Sequence, residues 1–456
     1  MQNILDEITR RTKKSVYEYP FSEESIFSFY QQLTAKIYNS FNPTGKFFLY
    51  YTKEDKINAY AMVIDQSAVV CLTTGTITKV YDCIYQLCEN PSFFSNIGNV
   101  KTWYRYDGIR NSPVINGDQV SYSSTISMNP IRHAFADVLA SYAILFLLLH
   151  ELGHHLDGHI KFLSHGKESS AFLAMAGEHL CTKTNILDLK TIEMDADAFS
   201  CSYLAAQFCD IDNNEDYALN YFAEETESKL TILISSITIL FFLLDSLDYN
   251  IDTNNLQKML YLPISYRASK FYDNFYTFIS KFKPETISET RFFVLAQQIQ
   301  MGVLEIWFET FGKVSMNSII MHKDRDALIS QYTELSENWH QLREKLLPYA
   351  DIELAPINRY ITIENGIIFF CGVSTEEIQI YITENYHIYD IKINDFLLFL
   401  SNHIKEDEFL YTVSGKYNAL DFLSDISNSD FYNLQIPENR FQELLSAWLS
   451  NEKFNL

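Results

Sequence analysis

A run of apolar residues, Val138–Leu149, leads without a break into the sequence HELGH at residues 150–154. Residues four apart lie on one face of an α-helix, so a helix through this segment places His150 and His154 side by side. Two imidazoles arranged in this way can bind one metal ion, and Glu151 can then act as general base on a water molecule polarised by that ion. The preceding apolar run predicts a buried helix that holds the two histidines rigidly.

The choice of a third ligand is open, because a catalytic zinc site needs three protein ligands and one open position. The histidine pattern HExxHxxGxxH fails by one residue, since His159 stands nine residues after His150, about 180° around an ideal helix. His159 should therefore face away from the metal unless Gly158 ends the helix first. His155 projects from a neighbouring face and is interpreted as an ordinary polar helix residue.

A later acidic segment, TIEMDADAFS at residues 191–200, offers a different third ligand. Glu193 and Asp197 are four residues apart and share a face of a predicted helix. Glu193 can complete the metal site, and Asp197 can accept a hydrogen bond from a ligand histidine and so determine its tautomer. Asp195, Asp197 and His159 stay as alternative ligands, and Glu193 is preferred.

The predicted fold class is α+β, with a helix-rich domain, a small sheet and a C-terminal α/β region. Glycine (14) and proline (10) are scarce in the 456 residues, which favours long helices. Short β-branched and aromatic runs within residues 46–74 predict strands. The predicted segments are an N-terminal helical cap (1–44), the metal-site domain (45–270) with an insertion at about 91–128, a helical region (271–350) and a mixed C-terminal region (351–456).

The charge and the cysteines exclude several classes of function. A net charge of -23 repels phosphate backbones, so we expect no nucleic-acid partner and no docking on an anionic membrane surface. The seven cysteines are odd in number and contain no CxxC pair, which argues against a disulfide framework and a thiolate zinc site. Their pattern is typical of buried thiols in a reducing compartment.

We expect no transmembrane segment and a cytoplasmic location. The N-terminal sequence lacks a basic stretch followed by an apolar one, so it does not predict a secretory signal. The apolar runs Val138–Leu149 and Leu230–Leu244 are 12 and 15 residues long, shorter than the roughly 18–20 residues that span a bilayer. Both are predicted to be buried core helices.

The HELGH motif followed by E-x-x-A-D at residues 193–197 resembles the gluzincin metallopeptidases of the HtpX and CAAX-prenyl protease type. The form HELGHHLDGH also resembles the phage-exclusion peptidases of the Lit type. These resemblances imply a zincin-like domain over roughly residues 45–270, with one Zn²⁺ per chain. They also imply an intracellular bacterial protein, with a role in stress or phage defence.

Two further segments carry parts of the same resemblance. Asn58, Ala59, Tyr60 and Ala61 match the family's Asn-Ala-aromatic-Ala segment, which implies an edge strand beside the cleft where an extended peptide can pair. The segment LYLPISYR at residues 260–267 keeps the proline and arginine of a family motif that ends in arginine, but it has tyrosine where the family has histidine. The candidates for stabilising the oxyanion of the reaction are Tyr266, Arg267 and Tyr261.

The function expected from the sequence is zinc-dependent hydrolysis of peptide bonds in a protein or peptide substrate. Residues 351–456 are expected to recognise a substrate or a regulatory partner. One alternative is a non-catalytic zinc-binding regulator or sensor that keeps the zincin fold. Another is a metal hydrolase that acts on something other than peptides.

Overall fold

The structure, a computed structural model, divides the chain into two compact units, Met1–His322 with Leu342–Leu354 and Lys323–Gln341 with Ala355–Leu456. The residues that it describes are 2–17, 25–98, 112–116, 119–123, 129–164, 172–174, 185–210, 218–246, 264–312, 325–355, 360–364, 367–373, 375–389, 391–403, 410–412, 415–417 and 432–452.

The first unit consists mainly of helices. They are α1 (Gln2–Thr12), α2 (Ile26–Ser40), α3 (Thr74–Glu89), α4 (Pro130–Leu156), α5 (His159–Ser164), α6 (Ile186–Cys209), α7 (Ala218–Phe222), α8 (Thr226–Asp245), α9 (Ile264–Phe282) and α10 (Glu289–Phe311). Several begin where a side-chain oxygen accepts a hydrogen bond from a free backbone N–H of the first turn. Asn129 caps α4 in this way and Asn185 caps α6, so both helices that carry the metal-site motifs have defined starts.

The strands of the first unit are β1 (Phe47–Thr52), β2 (Ala59–Ile64), β3 (Ser67–Thr73), β4 (Ser112–Asn116), β5 (Gln119–Ser123) and β6 (Phe172–Ala174). Four of them form a sheet in the order β1-β3-β2-β6, with β1 parallel to β3 and β2 antiparallel to both of its neighbours. Asp65 and Gln66 connect β2 to β3 and both have positive φ, as a tight hairpin turn requires. Strands β4 and β5 form a separate hairpin inside the predicted insertion.

Two long apolar helices, α4 and α8, pass through the core of this unit. By length and composition each could cross a membrane, but 78% and 83% of their most apolar windows are buried inside the structure. Soluble proteins bury core helices of the same kind. Both helices are longer than the apolar runs Val138–Leu149 and Leu230–Leu244 from which they were predicted. Their burial agrees with the prediction of core helices.

The segments that the sequence assigned to a cap and a metal-site domain lie in one unit, together with the predicted helical region up to His322, whereas residues 323–341 of that region belong to the second unit. Ile8 of α1 packs with Tyr50 and Met62 on one face of the sheet. Phe292 of α10 stacks on Phe275 of α9, and both belong to the main core. Helices on both sides of residues 44 and 270 therefore pack into the same unit, and the functional boundaries at these positions stay predictions.

The second unit contains most of α11 (Arg325–Leu346), and after it β7 (Tyr360–Glu364), β8 (Ile367–Val373), α12 (Thr375–Tyr386), α13 (Ile393–His403), β9 (Leu410–Thr412), β10 (Gly415–Tyr417), β11 (Tyr432–Pro437) and α14 (Glu438–Glu452). Its three-stranded sheet has the order β11-β8-β7 and is antiparallel. Its core is separate and surrounds Phe370, Phe396 and Phe441. The mixture of strands and helices agrees with the predicted α/β character of the C-terminal region.

Candidate metal centre

The last turns of α4 place His150 and His154 on one face, as the four-residue spacing predicted. Their Nε2 atoms are 3.2 Å apart, and both side chains are buried. Glu151 follows the first histidine and is also buried, with only 1% of its surface exposed. The motif therefore brings two imidazoles and a carboxyl group together in the interior.

Glu193 reaches the same point from α6, which crosses α4 beside the motif. Its Oε2 atom lies 3.1 Å from His150 Nε2, and its Oε1 atom lies 3.6 Å from His154 Nε2. Gly153 makes this approach possible, because a Cβ there would stand only 3.2 Å from Phe199 Cβ and 3.3 Å from Ala196 Cα, both on α6. The glycine of HELGH thus serves the contact between the two helices.

These distances suit a metal ion. Ligand atoms held at about 2.0–2.1 Å around a tetrahedral zinc are separated by roughly 3.3 Å. The two Nε2 atoms are 3.2 Å apart, and Glu193 brings one oxygen to 3.1 Å from His150 Nε2 and its other oxygen to 3.6 Å from His154 Nε2. His150, His154 and Glu193 thus form a buried group that could hold a metal ion. The residues that sequence spacing selected are the ones that the fold brings together.

The second ring nitrogen of His150, Nδ1, is hydrogen-bonded to an acidic side chain. Its Nδ1 atom lies 2.9 Å from Asp197 Oδ1, as the spacing of Glu193 and Asp197 predicted. Arg267 on α9 binds the same carboxylate with Nε and a terminal nitrogen, each at 2.7 Å. Three helices therefore converge on one imidazole, and the bidentate pair holds the carboxylate in a fixed orientation.

The three residues predicted to stabilise the oxyanion differ in what the structure shows of them. The guanidinium of Arg267 is engaged with Asp197 in a buried pair and holds that carboxylate, and its contact with a reaction intermediate stays a prediction. Tyr266 is also buried, with Lys270 Nζ 6.0 Å from its ring centre, and its role stays a prediction. Tyr261 lies outside the described residues.

His159 does turn back towards the centre, because Gly158 ends α4. Gly158 has φ +81°, a left-handed conformation that favours glycine, and a Cβ there would lie 2.5 Å from the backbone of Tyr349. His159 Nδ1 lies 3.1 Å from His154 Nδ1, on the side of that ring opposite the metal-facing nitrogen. His159 thus lies next to His154 but outside the group of His150, His154 and Glu193 that could hold a metal ion.

The electrostatics of the group favour positive charge at its centre. Burial alone would lower the pKa of His150, but hydrogen bonds and charges from Asp197 and Glu193 raise it to about 10. Burial also raises the pKa of Glu151 to about 8, although the neighbouring His150 and Arg267 oppose the shift. Carboxyl groups gathered around two imidazoles provide a charge that a divalent cation would balance.

Comparisons with protein-family models, with curated proteins and with solved structures gave no significant match to this chain. The function of the chain is therefore inferred from the geometry of the site.

The predicted substrate edge is not free. Asn58 is buried just before β2, and Ala59, Tyr60 and Ala61 lie in β2, which pairs with β3 on one side. On its other side Tyr60 and Ala61 pair with β6, so this strand is not at the edge of the sheet. The prediction of an open edge at these residues is wrong, because a later segment of the chain returns to occupy it.

Two other features were missed or misjudged from sequence. His155 is buried, and its Nε2 lies 3.2 Å from Val69 O on β3, so it ties α4 to the sheet and is not an ordinary polar helix residue. Asp157 and Asp195 lie with His159 in a second buried group. The second Gly-His pair, Gly158-His159, repeats the one in HELGH and was a signal for this group, but only the left-handed turn at Gly158 brings its histidine to the site.

Proposed function

We propose that this chain is a zinc-dependent metallopeptidase of zincin-like fold that hydrolyses peptide bonds in a protein or peptide substrate. The observation that carries the proposal is the combination of a three-ligand group with an adjacent buried carboxyl group. Glu151 Oε2 has no hydrogen-bond partner among the described residues. Burying a carboxyl oxygen without a partner costs free energy, which a structural role for Glu151 would not explain.

Zinc is the metal that this ligand set supports best. Two imidazole nitrogens and a carboxylate are typical of catalytic zinc sites with three protein ligands. When bound there, zinc supplies Lewis acidity that activates water and polarises a carbonyl group.

The chain's own residues perform the remaining work. Glu151 lies on the same helical turn as His150 and can accept the proton of the attacking water and then deliver it to the leaving amine. Asp197, held by Arg267, keeps His150 oriented through the reaction.

The experiment compares wild type with Glu151→Gln and Glu193→Ala. Zinc content is measured by plasma mass spectrometry, and cleavage is measured as new N-termini in a proteome-derived peptide library. We expect about one zinc per chain in wild type and in Glu151→Gln, with zinc lost in Glu193→Ala. Cleavage should fall by about 10²–10⁴-fold in Glu151→Gln, the range for loss of a general base.

Two outcomes would count against this function. A zinc-loaded wild type that produces the same termini as Glu151→Gln would favour a non-catalytic zinc-binding regulator. A wild type that takes up no zinc would remove the metal site altogether.

A further inference from the structure

A continuous line of buried contacts leads away from the second ligand histidine. His154 Nδ1 lies 3.1 Å from His159 Nδ1, and His159 Nε2 lies 3.1 Å from Asp195 Oδ2. Asp157 completes the line, because its carboxyl group lies in one compact group with the side chains of His159 and Asp195, each with a ligand atom within 4.8 Å of the others. These outer residues are all buried, so water cannot easily substitute for any of them.

The positions of the protons along this line follow from the contacts. Two carboxyl groups can share a hydrogen bond only if one of them holds a proton. Burial and the adjacent carboxylate of Asp195 raise the pKa of Asp157 well above its usual range. Asp195 Oδ2 is the oxygen that faces the ring of His159, at 3.1 Å from Nε2, so Asp195 is the carboxylate that accepts and Asp157 is the partner that holds the proton. Asp195 then accepts hydrogen bonds from Asp157 and from His159 Nε2–H.

The remaining nitrogens have only one consistent arrangement with neutral rings. With its proton on Nε2, His159 presents a bare Nδ1 to His154. His154 must then donate through Nδ1–H, which leaves its Nε2 lone pair directed at His150 and Glu193. This is the tautomer that binds a metal through Nε2.

We propose that His159, Asp195 and Asp157 act as positioning residues, forming a buried relay of hydrogen bonds that holds His154 in its metal-binding tautomer. The inference rests on the proposed function, because it assigns His154 Nε2 to the metal. It gives the two ligand histidines different partners, a carboxylate clamped by arginine for His150 and a neutral imidazole for His154.

The same contacts argue against a second metal ion at these three residues, although they form a compact group with one ligand atom each. A metal on His159 Nε2 would move the ring proton to Nδ1, where it would point at His154 Nδ1. His154 could not then keep its own Nδ1 proton, so binding both ions would require a deprotonated imidazole. One metal at His150, His154 and Glu193 satisfies every nitrogen without that cost.

The first test reads the tautomers directly in the metal-free protein. Histidine-selective ¹⁵N labelling and long-range ¹H–¹⁵N NMR distinguish Nδ1–H from Nε2–H rings, and His159→Asn and His154→Asn variants assign the signals. We expect His154 with its proton on Nδ1 and His159 with its proton on Nε2. A His159 ring protonated on Nδ1 would overturn the relay.

The second test measures zinc affinity by competition with a chelator, which does not depend on catalysis. His159→Phe removes the acceptor and should weaken binding by about 10–100-fold, as loss of such outer partners does. His159→Asn restores an acceptor near the Nδ1 position and should recover most of the affinity. Asp157→Asn keeps a donor to Asp195 and should bind within a few-fold of wild type, whereas a second metal site would lose a ligand.

The outcomes separate this inference from the proposed function. Equal affinity in wild type, His159→Phe and His159→Asn, with each variant folded by circular dichroism, would overturn the relay and leave the zinc site intact. More than one zinc per chain in wild type, reduced to one by Asp157→Asn, would also overturn it. A wild type without zinc would refute the proposed function, and the NMR tautomers would then decide the relay alone.

Discussion

Two buried groups of three side chains lie next to each other, and by distance alone both could hold a metal ion. The first is His150, His154 and Glu193, and the second is Asp157, His159 and Asp195, which we call the outer group. In the first group, the outward-facing nitrogens of both histidines already have hydrogen-bond partners, so their Nε2 atoms point inward. In the outer group, the corresponding nitrogen, His159 Nε2, is already used in a hydrogen bond to Asp195.

This difference shows why proximity of suitable residues does not define a metal site. A ligand atom must have a lone pair that is not bonded to a proton. The hydrogen-bond partners of the ligand side chains determine which atoms meet this condition. The first group has such neighbours in Asp197 and His159. The outer group serves as one of these neighbours, so its own capacity to bind metal is consumed in orienting the first.

The largest expected effect is on zinc affinity, and it distinguishes the first group from the outer group. Glu193→Ala removes a ligand, so zinc affinity should fall by more than about 100-fold, beyond the range for outer partners. The matched change in the outer group, Asp157→Ala, should lower affinity less and leave one zinc per chain. Chelator competition measures both, and equal losses in the two variants would erase the distinction between the groups.

The next effect concerns the partner of His150. Asp197→Asn should weaken zinc binding by about 10–100-fold. It should also lower the free energy of unfolding by about 3 kcal/mol, because it leaves the buried Arg267 guanidinium without its counter-charge. Denaturant unfolding and zinc competition measure the two effects.

A control variant separates the effect on zinc affinity from the effect on stability. The double variant Asp197→Asn with Arg267→Met removes the uncompensated charge, so it should recover stability without recovering zinc affinity. Recovery of both would mean that the pair acts on the fold alone.

The turn that creates the outer group gives a smaller effect on stability. Gly158→Ala places a Cβ 2.5 Å from the backbone of Tyr349 at φ +81°, so it should cost about 1–3 kcal/mol. Gly302 is the matched control, because it lies inside α10 with nothing within 4 Å of an added Cβ. Gly302→Ala should stabilise by up to about 1 kcal/mol. Thermal unfolding that ranks the two in the opposite order would contradict the assignment of this turn.

The smallest effect tests the approach of α6 to α4. Gly153→Ala would bring a Cβ to 3.2 Å from Phe199 Cβ, so the two helices must separate by a few tenths of an ångström. We expect zinc affinity to fall only a few-fold, less than in Asp197→Asn, with about 1 kcal/mol lost in stability. A loss as large as that of Glu193→Ala would mean that the helices cannot adjust at this contact.

Much of the first group could be predicted from the sequence because its residues are local. Four-residue spacing on a helix places His150 beside His154, and likewise Glu193 beside Asp197, whatever the rest of the chain does. The α+β class was also predictable, since apolar periodicity and the scarcity of glycine and proline are local signals. Zinc and peptide hydrolysis follow from these residues as proposals that the metal and cleavage measurements test.

The tertiary structure alone decided the contacts between segments far apart in the chain. It brought Arg267 to Asp197, turned His159 back to His154, and paired β6 with the strand predicted to be an open edge. No spacing rule covers such contacts, because they depend on how helices cross and where a left-handed glycine ends one of them. The sequence by itself determined which side chains could bind a metal ion, and packing determined which nitrogens are free to do so.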